Sequence, residues 1–137
     1  MVRVSVSTDD VHFTVNTNPD TVTIAADREQ IERVFINLFT NAIEAMNGKG
    51  DITVTLNEEK DSVKVLVSDT GNGIRPQDVD NIFEPFFTTK DKGAGLGLAI
   101  VFNIVKKHRG EIFVESQEDK GMTFCIVFPK GEKGHGI

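Results

Sequence analysis

A chain of 137 residues with a formal charge of -6 and a pI near 5.0 is one domain of ordinary size, and its acidity disfavours nucleic acid and anionic membrane surfaces as partners. Hydrophobic residues make up 39% and charged residues 26%, the balance of a globular protein and not of a disordered one. The single cysteine, Cys125, lies in an apolar run, excludes an intrachain disulfide and points to a buried, inert thiol in a reducing, cytoplasmic compartment. No apolar run approaches the ~20 residues of a membrane helix, so any anchor is expected elsewhere in a parent protein.

Val2 to Ser7 and Val11 to Val15 alternate apolar and polar residues around Thr8-Asp9-Asp10, which predicts a hairpin of half-buried strands. His12 falls on the polar phase and is expected to face solvent. Turn residues from Asn16 to Asp20 lead to a short extended piece, Val22-Thr23-Ile24. Asp27, with Gln30 three residues on, then opens a helix in the manner of a capping box. Ile31, Val34, Phe35, Leu38, Ala42, Ile43 and Met46 form its apolar stripe, and Asn47-Gly48-Lys49-Gly50 stops it.

The same helix carries Asn37, Asn41 and Glu44 at i, i+4 and i+7, a polar line on one face. Phe35, Ile36, Leu38, Phe39, Ala42 and Ile43 around it leave little room for a wet side, so the line is expected to face a ligand. Amide oxygens in such a stripe suit Mg2+, a hard cation that keeps waters and is shared with phosphates.

Ile52 to Leu56 and Val63 to Val67 predict a second hairpin, and Asp69 stands at its end, where pocket mouths form. Two glycine clusters come next, Asp69-Thr70-Gly71-Asn72-Gly73-Ile74 and Gly93-Ala94-Gly95-Leu96-Gly97-Leu98. Glycine lets backbone amides approach a ligand where a Cβ would clash. The helical period from Leu98 to Lys107 puts the second cluster at a helix N-terminus, an anion site by dipole and geometry, and phosphate is its natural occupant. Between the clusters, Pro76 to Ile82 reads as a short helix, and Phe83 to Lys92 has no period. Its adjacent Phe86 and Phe87 point different ways, so one of them is expected to pack on something that moves or arrives. Lys106, Lys107 and His108 favour the C-terminal dipole of the last helix, His108 being read as a cap and not as a base, with Gly110 as the stop. Glu111 to Ser116 and Met122 to Phe128 predict the closing strands, and Gly131 to Ile137 reads as a tail.

These motifs, in this order from Val22 to Phe128, resemble the catalytic and ATP-binding domain of sensor histidine kinases, the Bergerat-type ATPase fold of the GHKL superfamily. The resemblance implies an α/β (α+β) two-layer sandwich, a mixed, mostly antiparallel sheet of about five strands packed on three helices near residues 27–46, 76–82 and 97–108. The chain is then a single domain over residues 1–137 with an ATP lid at about 83–97. It implies that Asp69 accepts the adenine amino group, that Asn41 and Asn37 serve Mg2+, that Thr123 supports the purine side, and that Lys90 or Lys92 in the lid reaches the γ-phosphate. Further contacts to ATP or ADP fall on Glu44, Ala45, Gly71, Gly73, Ile74, Phe83, Thr89, Gly93, Gly95, Leu96, Gly97 and Leu98. The implied partner is a helical dimerisation domain of the same parent, bearing the acceptor histidine, with a response regulator served indirectly and the isolated domain a monomer. None of His12, His108 and His135 has the setting of such an acceptor.

The alternatives are a conformational ATPase of the gyrase or heat-shock-chaperone type and a nucleotide-binding module without kinase activity. The conformational ATPases carry a Glu four residues before the second Asn of the helix line, as the base that activates water; that position is Asn37, and an amide cannot take a proton at neutral pH. One departure from the resemblance is Arg109, where many relatives have Gly, which bears on the turn from the last helix to the next strand.

Overall fold

Six segments with period-2 alternation pair into one sheet in the computed structural model. Residues 2–8, 10–18, 24, 26–73, 76–84, 97–117 and 120–130 are described. The strands are β1 (Val2–Thr8), β2 (Val11–Asn18), β3 (Gly50–Glu58), β4 (Ser62–Asp69), β5 (Glu111–Gln117) and β6 (Gly121–Pro129), in the order β1-β2-β3-β4-β6-β5. The three predicted hairpins are all present and antiparallel. Helix α1 (Arg28–Ala45) crosses between β2 and β3, which therefore run parallel, and β4 joins β6 antiparallel across a long intervening segment. The sheet is thus mixed and mostly antiparallel as expected, with six strands where about five were expected, because both strands of each hairpin enter the same sheet.

Helix α1, helix α2 (Gly97–Lys107) and a 3-10 helix at Pro76–Asn81 are the three helical pieces among the described residues. Asp27 caps α1 as predicted, its carboxylate accepting the Gln30 N–H at 3.1 Å. Val34, Leu38 and Ala42 of α1 and Val101, Ile104 and Val105 of α2 close over Ile52, Val54, Val65, Val67, Phe124 and Ile126 of the sheet. Ile36, expected among the apolar flank, is 63% exposed. At about 100° per residue it falls outside the arc that the sheet and α2 cover, so α1 has a wet side after all. Cys125 is half-buried on the open face of the sheet and not in the core, because Phe124 and Ile126 take the inward phase of β6.

Both helices end in the same way. Gly48 N–H reaches Ile43 O at 3.0 Å past Asn47 at φ 56°, and Gly110 N–H reaches Val105 O at 2.9 Å past Arg109 at φ 61°. These are Schellman-type closures with a left-handed residue that glycine fills without strain. His108 makes the predicted cap and one contact more. Its Nε2 accepts the Asp27 N–H at 3.1 Å, so its Nδ1 donates to Ile104 O at 2.8 Å, and its ring meets Phe128 edge to face. The C-terminus of α2 is thereby tied to the N-terminus of α1, and the two helices run antiparallel. No helix among the described residues is long and apolar enough to cross a membrane. Because a side chain at positive φ costs about 1 kcal/mol, Arg109→Gly is expected to raise stability by roughly that amount in urea unfolding, with an unchanged slope.

Candidate functional site

Asp69 is the last residue of β4 and is 8% exposed, on the inward face of the sheet. Its Oδ1 accepts the N–H of Gly71 at 2.8 Å, which turns the chain sharply out of the strand. The loop then lies on the C-terminal end of α1, where Asn72 donates its N–H to Ala45 O at 3.2 Å. Gly71 is pressed so close that a Cβ there would stand 2.8 Å from the carbonyl carbon and oxygen of Ala45. The Thr70 hydroxyl accepts the N–H of Asp51 at 3.1 Å, which fixes the loop to the start of β3 as well. On the other side Gly121, at φ 108°, opens β6 over the Asp69 carbonyl, where an added Cβ would overlap the Asp69 oxygen. A buried carboxylate is therefore held at the meeting point of β4, β6 and α1 by backbone approaches that only glycine permits.

One turn and two turns back along α1 stand Asn41 and Asn37, both half-buried, with Glu44 exposed beyond them. Asn37 donates Nδ2 to Arg33 O at 3.0 Å, which settles the orientation of its amide. Its Oδ1 points at the start of α2, 3.4 Å from where a Cβ on Gly97 would begin. The first turn of α2, whose amides have no partner within the helix, thus lies beside the Asn37 oxygen of the helix line. Among the described residues no cluster of three His, Cys, Asp or Glu could hold a metal ion. The donor set that fits a hard cation is the amide oxygen of Asn37 beside that helix start, with Asn41 one turn on along the same face.

Asp69, Gly71 and Ala45 meet at one end of the helix line, with Gly73 following in the same loop, and Asn37 meets Gly97 two turns away, with Asn41 between them along α1; Leu98 is half-buried against the core next to Gly97. Two of the expected residues are engaged with neighbours of their own. Phe83 packs its ring on Phe102 of α2 and Phe124 of β6, with centroids 5.5 and 6.2 Å away, and is half-buried against the core. Thr123 stands on the opposite face of the sheet from Asp69, its hydroxyl 2.9 Å from that of Ser68, because it follows Asp69's partner Met122 by one residue. The residue that faces inward beside Asp69 is Met122. An open cleft of about 680 Å3 lies at this end of the sheet, lined by Asp69, Val79, Val114, Met122 and Thr123 among others. The inward phase of Met122 was readable from the apolar series Met122, Phe124, Ile126, Phe128; its pairing with Asp69 was not. Ile74, Thr89, Lys90, Lys92, Gly93, Gly95 and Leu96 lie outside the described residues.

The glycine-seated carboxylate at a strand end and the asparagine line facing a helix N-terminus, on a mixed sheet covered by two helices, define an ATP-binding domain of the Bergerat type. Over residues 26–132 the chain matches the family of histidine kinase-, DNA gyrase B- and HSP90-like ATPases. It is 46% identical over 111 residues to sporulation kinase A of Bacillus subtilis, covering 81% of this chain and 18% of that protein. It is 48% identical over 120 residues to sensor histidine kinase ZraS of Escherichia coli K12, covering 87% of this chain and 25% of that protein. The chain thus spans about a fifth to a quarter of the length of these curated relatives. The solved nucleotide-free catalytic domain of histidine kinase ThkA superposes with a TM-score of 0.78 at 38% identity, covering 88% of this chain and 78% of that one. The chain belongs to this ATPase family, as a histidine kinase catalytic domain.

Because the loop is seated on Ala45 by direct backbone contact, Gly71→Ala is expected to lift it off α1. Stability should fall by about 1 to 3 kcal/mol, and adenine nucleotide affinity should fall with it, as read by thermal unfolding and calorimetry.

Proposed function

We propose that this domain binds adenine nucleotide with Mg2+ and donates the γ-phosphate of ATP to a histidine on a separate helical dimerisation domain of its parent, in two-component signalling. The observation that carries the reading is that the buried Asp69 carboxylate and the Asn37 amide oxygen stand at the two ends of one helix segment, with the start of α2 beside Asn37. Asp69 would accept the exocyclic amine of adenine on the carboxylate whose loop-side oxygen is already occupied by Gly71 N–H. The phosphates would then run along α1 toward the amides at Gly97, where a helix N-terminus favours anions even in a domain of net charge -6. Mg2+ held by the amide oxygens of Asn37 and Asn41 would offset phosphate charge.

In the transfer, the bond from the γ-phosphorus to the bridging oxygen breaks as a bond to an imidazole nitrogen forms. ADP leaves with the bonding pair, and the imidazole loses its proton to solvent or to a base on its own domain. The chain's own part is to place the nucleotide and to withhold water activation: Asn37 occupies the place of the base that hydrolytic relatives need, and its amide is engaged with Arg33 O. That observation favours transfer over the conformational-ATPase alternative. Lys90 or Lys92 is proposed to reach the γ-phosphate from the lid. A structure of ThkA in complex with the response regulator TrrA, which matches at a TM-score of 0.74 and 34% identity, supports a response regulator as the eventual recipient. The acidic charge and single cysteine support a cytoplasmic setting within this proposal.

Asp69→Asn keeps an oxygen for Gly71 N–H and turns the other atom into a donor facing the adenine amine. ADP affinity is expected to fall by about 1 to 3 kcal/mol in calorimetry while the thermal midpoint holds, and affinity within twofold of the parent would remove the adenine assignment. The isolated chain, incubated with labelled ATP and Mg2+, is expected to show neither acid-labile label nor appreciable phosphate release. Adding the parent's helical domain should produce phosphohistidine on that domain. Label on this chain alone would make one of its own histidines an acceptor, and rapid phosphate release would move it to the conformational ATPases.

A further inference from the structure

We infer that Met122, and not Thr123, is the second side chain that reads the base, so that polar selection of the nucleotide rests on Asp69 and its loop while Met122 supplies an apolar, polarisable wall. The inference rests on the adenine-nucleotide reading above. Asp69 and Met122 are Cα partners in the β4–β6 ladder, so their side chains leave the sheet on the same side as near neighbours. They are 8% and 7% exposed, and both line the cleft at the end of the sheet. Gly121 makes this possible: its positive φ lets β6 enter directly over the Asp69 carbonyl, which sets the next residue beside the carboxylate. Thr123 also lines the cleft, but its side chain leaves the other face and its hydroxyl pairs with Ser68 at 2.9 Å. A base held by the Asp69 carboxylate on the inward face lies out of reach of a hydroxyl on the outward face.

The chemistry of the wall is set by the residue type. A thioether offers no donor and only a weak acceptor, and it makes favourable sulfur-to-ring contacts. The Met122 side therefore selects a flat aromatic base by shape and contact and reads none of its ring nitrogens through a hydroxyl. Discrimination between adenine and guanine falls on the group presented to Asp69, where a carboxylate requires a donor.

The chain contains three methionines, Met1, Met46 and Met122, so 13C-methyl methionine labelling yields a spectrum that Met46→Leu and Met122→Leu assign. Saturating ADP is expected to shift the Met122 methyl through the ring current of the base, and inorganic triphosphate is expected to leave it in place. At a temperature where each unliganded variant is folded, Met122→Ala should raise the Kd for ADP by about tenfold, while Met122→Leu and Thr123→Val stay within about threefold. A Met122 methyl that saturating ADP does not move, or a Thr123→Val loss equal to that of Met122→Ala, overturns the inference. If the parent chain binds no ADP, the nucleotide reading itself fails. If ADP binds, Asp69→Asn weakens binding as expected and the Met122 signal stays still, only the role of Met122 fails. The methyl measurement is made on the parent chain, so a Met122→Ala variant that does not fold leaves the test intact.

Discussion

The seating of the loop after β4 on the last turn of α1 is the constraint on which the rest of the site depends. A helix C-terminus leaves carbonyls without intrahelical partners, and Ala45 O finds one in the N–H of Asn72. The contact is possible only because Gly71 has no side chain to hold the two backbones apart. In return the helix end fixes where the Asp69 carboxylate can point, since that carboxylate is the acceptor that bends the loop toward α1. The Asp69 loop and the helix line are thereby joined, so that a shift of α1 along its axis would carry the Asp69 loop, Asn41 and Asn37 together.

The second helix sets the other half. Its C-terminal His108 is hooked onto the backbone of Asp27, and its N-terminal Gly97 comes up against the Asn37 oxygen, so α2 is pinned antiparallel to α1 at both ends. The neutral imidazole that this hook requires has each nitrogen assigned by its partner, one donating to Ile104 O and one accepting from Asp27. A histidine that reads as a simple helix cap is in this way also the long-range tie that sets the register of α2 against the asparagine line. Phe83 adds a third restraint. By packing on Phe102 and Phe124 it fastens the end of the segment after the 3-10 helix to both α2 and the sheet.

An acidic domain that handles a polyanion must bind it through local geometry, since its long-range field opposes the approach. Under the proposed reading, the described part of the site would meet that requirement with backbone amides, amide side chains and a helix dipole. This is consistent with kinship to histidine kinase catalytic domains, and it explains why the motif residues are so often glycine and asparagine.

Much of this was legible in the chain itself, because it depends on neighbours close in sequence. Alternation determined the six strands, the three hairpins and the position of Asp69 at the end of one of them. A 3.6-residue period determined both helices, Asp27 determined where α1 starts, and the i, i+4 spacing placed Asn37 and Asn41 on one face. The phase of β6 is equally local and sets Thr123 on the outer face. The tertiary structure alone decided the contacts between segments far apart in sequence. These are the parallel pairing of β2 with β3, the partnering of Asp69 with Met122, the tie from His108 to Asp27, the packing of Phe83 on Phe102 and Phe124 and the exposure of Ile36. The reason is physical: propensity and periodicity act within a few residues of backbone, whereas which faces meet is settled only when the whole chain buries its apolar surface at once, and no local pattern encodes that choice.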